Sequence, residues 1–529
     1  RFPWRNGCQT DFKAIFMKQY DAIVIGGGIN SLAISALLAQ EINSVLLIES
    51  QDRVGGMAST KEFSPGFKCN MVYDYIRWID QRLIKLLNLH EYGLELFSSD
   101  PIHITLDEKG KHIVFYADPQ QTAKSIAHHS SEDADNWLNF TKYITKLTQC
   151  LDPIYRMTPP NISELGLTNL PAMSMLLKPI LKHGRRGLVD MIRAVPMMMP
   201  ELLDEWFESD LLRGSLAACG TTHLTQGPYS AATGLNFLHQ HMYSNGIMHN
   251  CHFIKGGTGH FAHILSQIAQ DKGVEIMTKS MVTSINCKQS ICSGVTTSNG
   301  QTFNANIVIS GLDPANTGIK LVGNHQINPI LQKQLNNIKF RGSTARVHFA
   351  LNKYPKVNGV SPSHMQSVFT TIPTMEYLEH AYDDAKYGRV SENLCVEFTI
   401  PSIINANFSP TGKHVLSSTI QYVPYYLQNA NWNQELKDSI IENVTQILSK
   451  YIPCFADIIE ESVIITPVDL EASLGHTEGN INHGEMTLDQ FFFLRPTIST
   501  AQYRTSMKNL YHCGPGTHPG GGLHGCNAA

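Results

Sequence analysis

Two glycine-rich turns stand near opposite ends of the chain, Gly26-Gly27-Gly28-Ile29-Asn30-Ser31 and Gly514-Pro515-Gly516-Thr517-His518-Pro519-Gly520-Gly521-Gly522, each just after a short apolar run. Glycine lets backbone approach a phosphate or a flat ring, because no Cβ intervenes and positive φ costs nothing. Where such a turn opens a helix, unpaired amides and the helix dipole favour an anion. Gly26 allows the tight bend, Gly28 leaves room for a pyrophosphate, and Ser31 stands where a third small residue packs helix on strand. Glu49, 21 residues after Gly28, suits a ribose diol and disfavours a 2′-phosphate by its charge. Arg53, Gly55 and Gly56 extend it to Glu-x-x-x-Arg-x-Gly-Gly, a cation to face phosphate and two glycines for close backbone approach. The second turn is of the kind that lies against a flavin ring. Together the turns predict one discontinuous domain around a long dinucleotide cofactor.

The elements that position these residues follow from hydrophobic periodicity. Residues 20–25 and 44–49 read as buried strands and 29–40 as a helix, a βαβ start. From about residue 118 the pattern turns helical, with Trp137, Phe140, Ile144 and Leu147 at helical spacing. Residues 262–272 read as a helix, 275–285 as strands, and 305–310 as a buried strand ending at Gly311. Alternation over 346–351 and 414–421 predicts an antiparallel sheet, and 432–451 an amphipathic helix. The expected fold combines α/β and α+β. A discontinuous Rossmann-like nucleotide-binding domain spans 17–100, 245–325 and 480–529. An inserted substrate domain of mixed or antiparallel sheet and helices spans 101–244 and 326–479, and residues 1–16 form an extension ahead of Met17 as a natural start.

Residues 169–200 carry six of the eighteen methionines, with Lys178, Lys182, Arg185, Arg186 and Arg193 against Asp190. One reading is packed helices with solvated basic ends. The other is an apolar substrate entrance or peripheral contact with an anionic membrane surface.

Beyond the two turns, the stretches Leu203-Asp-Glu-Trp-Phe-Glu-Ser209, Lys255-Gly-Gly-Thr-Gly259 and Gly484-Glu-Met-Thr-Leu-Asp-Gln-Phe-Phe-Phe-Leu-Arg-Pro496 narrow the reading. Residues 49–56 resemble the flavoprotein superfamily of phytoene desaturases, amine oxidases and Rab GDP-dissociation inhibitors. With the later motifs the chain, from about residue 20 to the end, resembles the carotenoid/retinoid oxidoreductase family, in the branch of the O-type β-carotene ketolases. The resemblance implies non-covalent FAD and hydride exchange with a hydrophobic, isoprenoid or carotenoid-like small molecule: desaturation, saturation, isomerisation or ketolation. It implies that Gly26, Gly28, Ser31, Glu49, Arg53, Gly55 and Gly56 hold adenosine and pyrophosphate, and that Val282 offers a backbone contact to the adenine. Gly514, Gly521 and Gly522 would lie near the ribityl chain and ring, with a helix after Gly522 aimed at the flavin. The family's longer segment at that point is compressed here to Gly525-Cys526-Asn527, without its arginine. His518, Asp489 and Arg495 are substrate-side candidates, with structural roles as the alternative. No side chain stands out as acid, base or nucleophile, as expected where a cofactor carries the chemistry. A flavin amine oxidase and a non-catalytic binding protein on the same fold are the competing readings.

Bulk properties set the remaining bounds. A chain of 529 residues is long enough for two or three domains. The net charge of -4 gives no reason to expect a nucleic-acid partner. Eleven scattered cysteines without a Cys-x-x-Cys pair argue against a disulfide framework and favour a reducing compartment, cytoplasm or mitochondrial matrix. The histidines at 239, 241, 249, 252, 260 and 263 lack an accompanying acid on one helical face, so no metal site is expected.

Overall fold

The computed structural model describes residues 18–161, 170–244 and 248–529, without the side chains of 170–173 and 175–181. The extension expected over 1–16 and the start at Met17 fall outside that range. β1 (Gln19–Ile25), α1 (Ile29–Leu38) and β2 (Val45–Ile48) build the βαβ unit. Ala22, Ile23, Val24, Leu46 and Leu47 are wholly buried, as in strands covered on both faces. β1 lies parallel between β2 and the strand Thr302–Ser310, which sets Ile25 level with Ile48 and with Ser310. The strand Leu510–His512 lies parallel to Thr302–Ser310, with His512 level with Ser310. Four strands remote in sequence therefore end at one edge of one sheet. Backbone bonds carry the register into the loops: the Gly26 N–H donates to Ile48 O at 2.8 Å, Gly311 to Ile25 O at 2.9 Å, and Cys513 to Ser310 O at 2.9 Å. Ligands of parallel sheets bind beyond this carboxyl edge, so the topology brings the two glycine turns together there.

A second sheet runs in the order Ile459–Ile465, Thr344–Leu351, His414–Gln421, Cys395–Thr399, Val368–Thr370, His103–Thr105 and Ile113–Phe115. It is antiparallel except where Val368–Thr370 meets His103–Thr105. Ile440, Val444 and Leu448 of the helix Gln434–Ser449 join Val347, Phe349 and Leu416 of this sheet in one core. A helical layer supplies the other walls. Trp137 and Phe140 of Ser131–Arg156 pack with Leu216 of Asp210–Thr221 and Phe237 of Thr233–Gln240. The methionine-rich segment includes the helix Leu170–Ala194, broken at Gly184 and tied to its neighbour by Lys146 and Asp190 at 2.7 Å. No described helix is long and apolar enough to cross a membrane.

The serine at position 31 has a structural counterpart. A Cβ at Gly311 would sit 2.0 Å from Ser31 Oγ, and Ser31 Oγ lies 3.8 Å from Cys513 Sγ. The close approach that the fingerprint usually assigns to a glycine on the helix is thus supplied by a glycine on the strand. Gly311→Ala is expected to cost about 1–3 kcal/mol through overpacking. Ser31→Gly, itself costing about 1 kcal/mol inside a helix, is expected to recover most of that loss in the double variant. Denaturant unfolding of the four proteins measures the coupling, and strictly additive losses would refute this contact.

Candidate functional site

At the carboxyl edge of the first sheet, Gly26, Gly28, Ser31, Glu49, Gly55, Gly56, Gly514 and Gly522 line one cavity of roughly 670 Å³. Gly28 is the N-cap of α1, has no side-chain cap, and a Cβ there would meet nothing within 4 Å. The helix therefore offers bare amides to open space. Gly55 donates its N–H to Gly27 O at 2.8 Å and a Cβ on Gly56 would come within 3.4 Å of Gly28 Cα, so the second glycine pair shapes the same turn. Glu49 is buried and already half engaged: Oε2 accepts the Gly27 N–H at 2.6 Å, and Oε1 accepts the Gln51 N–H at 2.8 Å. An anion-seeking turn beside a buried carboxylate fits the pyrophosphate and ribose of a dinucleotide. At the far end, a Cβ on Gly521 would lie 1.9 Å from Asn482 Oδ1 and one on Gly514 2.5 Å from Gly311 O, so neither position admits a side chain.

A second cavity of roughly 660 Å³ shares Gly522 and Leu523 with the first and is lined also by Gly521 and His524. Its other walls bring Tyr73, Asp74, Arg77, Trp78, Arg346 and Glu397 together. A third, of roughly 500 Å³, shares His223, Glu397 and Thr419 with the second and runs on to Cys219, Ile372 and Leu378. The three cavities follow one another from the nucleotide turn past the terminal glycines, each sharing wall residues with the next. Trp78 stacks on His524 with ring centroids 4.2 Å apart and planes 4° from parallel. His524 Nε2 and His239 Nε2 both donate to Gly521 O, at 3.1 and 3.2 Å, while their Nδ1 atoms accept from the Cys526 N–H at 3.0 Å and the Tyr155 hydroxyl at 2.7 Å. Burial keeps both rings neutral, pulling His524 down to about 4 and His239 to about 3.

The model of the family described as flavin containing amine oxidoreductase matches residues 32–529. The chain belongs to this family. It is a FAD-dependent oxidoreductase. Among relatives, it is 28% identical over 545 residues to pyridine nucleotide-disulfide oxidoreductase domain-containing protein 2 of Rattus norvegicus, across 98% of this chain and 92% of that protein. It is 22% identical over 528 residues to a lycopene-forming phytoene desaturase of Pseudescherichia vulneris, across 96% of each. In fold it resembles putrescine oxidase bound to putrescine, with a TM-score of 0.58, 14% identity and 96% of each chain covered.

Five residues singled out in the sequence stand outside the cavity walls, and one expected element differs. Arg53 is exposed and is not among the cleft-lining residues. Val282 opens the strand Val282–Lys288 with its side chain in the core and outside that lining, the contact expected of it being one of backbone. Asp489 is exposed and accepts the Thr487 hydroxyl at 2.6 Å, closing a local turn. His518 is buried, its Nε2 on Ile154 O at 2.8 Å and its ring against Phe492 and Tyr155, so it docks the terminal loop on the helix Ser131–Arg156. Arg495 is wholly buried and is not itself among the residues that line the cavities. It donates from Nε and Nη2 to Pro515 O at 3.1 and 2.8 Å, from Nη1 to Glu485 O and Gln490 O at 3.2 and 3.3 Å, and from Nη2 to Asn482 O and Gly484 O at 2.5 and 3.1 Å. The helix expected after Gly522 is a run of bends and turns instead, because Gly525 takes φ of +70°, which a right-handed helix forbids. The cavity charges Asp74, Arg77, Arg346 and Glu397 escaped the sequence reading. The available signal was that each interrupts a stretch that is otherwise apolar or strand-like.

Arg495→Met is expected to lose at least about 3 kcal/mol, since several buried carbonyls would lose their donors at about 1–3 kcal/mol each before partial rehydration. Thermal unfolding of the variant measures this, and an unchanged Tm would refute the clamp. Burial also pulls His512, His518 and His524 from 6.5 to about 4. The unfolded chain therefore binds more protons than the folded one as pH falls below about 6.5. Stability and flavin retention are expected to be full above that pH and to decline towards about 4. Flavin fluorescence against pH follows the release, and retention that does not change between neutral pH and 5 would contradict it.

Proposed function

We propose that this oxidoreductase exchanges a hydride between FAD and a carbon of a largely apolar, isoprenoid-like substrate, in the manner of a desaturase or saturase. The observation that carries this reading is the succession of cavities with shared walls, from the nucleotide cleft, past residues 521–524, to the inner cavity bounded by Cys219, Ile372 and Leu378. Bound FAD supplies acceptance or donation of the hydride. The chain's own residues supply orientation. The pair of imidazoles on Gly521 O and the Trp78–His524 stack fix the terminal glycines at the mouth of the substrate cavity. Gly26, Gly28, Glu49, Gly55 and Gly56 would hold the adenosine and pyrophosphate half, and Gly514, Gly521 and Gly522 the flavin half. The phytoene desaturase among the relatives supports this substrate class.

Amine oxidation is the second reading, favoured by the rings of Tyr73 and Trp78 in the wall beside Gly521. A protonated amine would there meet the guanidinium of Arg77, which disfavours it. The purified protein is expected to be yellow and to release FAD on denaturation. Anaerobic mixing with unsaturated or saturated isoprenoid alcohols and acids is expected to change the flavin redox state, followed by absorbance. Flavin reduction by amines alone, with peroxide released in air, would overturn the isoprenoid reading in favour of the second.

A further inference from the structure

Four charged side chains line the cavity beside the terminal glycines, and three of them are engaged. Arg346 is bonded to Asp74 and Thr419, and Asp74 also accepts the Thr399 hydroxyl at 3.0 Å. Glu397 accepts the Tyr75 hydroxyl at 2.8 Å. Arg77 is the exception: among the described residues it has no hydrogen bond and no carboxylate within 4.0 Å, and its Nη1 is shut off from solvent. The hydroxyl of Tyr73, in the same wall, is also buried without a partner. A guanidinium partly withdrawn from water with no bonded counter-ion is unfavourable, and such groups are normally paired. Glu397 attracts Arg77 at longer range, but it lies beyond ion-pair reach, accepts the Tyr75 hydroxyl, and burial pushes its carboxyl up towards the neutral form.

We propose that Arg77 and the Tyr73 hydroxyl bind a carboxylate of the substrate, so that the reacting molecule is an amphipathic acid with an apolar chain or ring reaching into the inner cavity. This rests on the reading of that cavity as the substrate site. A monoanion matches the one cation of the wall that has no bonded counter-ion, Arg346 being paired with Asp74, whereas a phosphate dianion would add a second negative charge beside Glu397 and Asp74. The planar fork of arginine also fits carboxylate with two parallel bonds, and the phenol adds a third donor.

The test is calorimetric titration of the FAD-loaded protein with dodecanoate, dodecanol, dodecylamine and dodecyl phosphate. Dodecanoate is expected to bind roughly tenfold to hundredfold more tightly than the alcohol, the range of a charge-assisted hydrogen bond, and more tightly than the amine or the phosphate. Arg77→Gln is expected to remove that preference while leaving dodecanol affinity and flavin content unchanged, Arg77→Lys to keep part of it, and Tyr73→Phe to weaken acid binding by a smaller factor. Equal affinity for acid and alcohol, tighter binding of amine or phosphate, or flavin loss from a folded Arg77→Gln protein would overturn the proposal, the last because Arg77 would then serve the cofactor. Acid preference that depends on Arg77 in a protein that transfers no hydride to or from any isoprenoid would sustain the anchor and sink the proposed reaction.

Discussion

The site hangs on one buried arginine with no carboxylate partner. Residues 513–528 contain no helix or strand beyond the end of Leu510–His512, so their conformation cannot come from a regular backbone ladder. Arg495 substitutes for one by gathering five carbonyls, those of Asn482, Gly484, Glu485, Gln490 and Pro515, around a single planar group. Burial without a negative partner pulls its guanidinium down to about 9, so the charge is stabilised by carbonyl dipoles alone. That arrangement is tolerable only if every dipole is in place, which makes the loop and its clamp mutually dependent. Gly521, pressed against Asn482, and Gly520, whose Cβ would meet Met486, are positioned by the same segment.

The second constraint is the contrast between the two halves of the succession of cavities. The nucleotide half is glycine and backbone, a surface that accepts phosphate by geometry. The inner half holds acids, guanidinium groups and imidazoles at the same depth as Ile372 and Leu378. A cavity shaped only for a hydrocarbon would not retain Arg77, Arg346, Asp74 and Glu397 in its wall, since each ion out of water needs compensation. The resemblance to carotenoid enzymes explains the cofactor and the succession of cavities. It does not explain this charge.

Sequence alone made the βαβ unit, the distant partner strand and the antiparallel sheet legible, because each rests on a periodicity or on a glycine whose absence of Cβ is visible as a letter. β1, β2 and the strands Thr344–Leu351 and His414–Gln421 lie within two residues of their expected ends. The fates of His518, Asp489 and Arg495 were not legible. The family resemblance implies a place near the flavin for their motif, but whether a side chain faces the cavity or the core depends on tertiary packing with residues as distant as Ile154. The same limit hid the charged wall: Asp74 and Arg346 are 272 positions apart and meet only in the folded chain. Ser31 shows the converse, a mismatch to the fingerprint that the fold corrects with Gly311.

The lateral bonds at the sheet edge have a consequence for assembly. The strand Thr302–Ser310 meets an antiparallel neighbour over its first residues and Leu510–His512 over its last. Until the end of the chain arrives, Val308 to Ser310 have an unpaired edge, and the cleft lacks its far wall. Pairings this distant in sequence close late, after the loop entropy of the intervening chain has been overcome. A ligand that needs both glycine turns binds only the completed sheet and stabilises it by mass action. A cofactor held by both turns would therefore also latch the Leu510–His512 strand in its place.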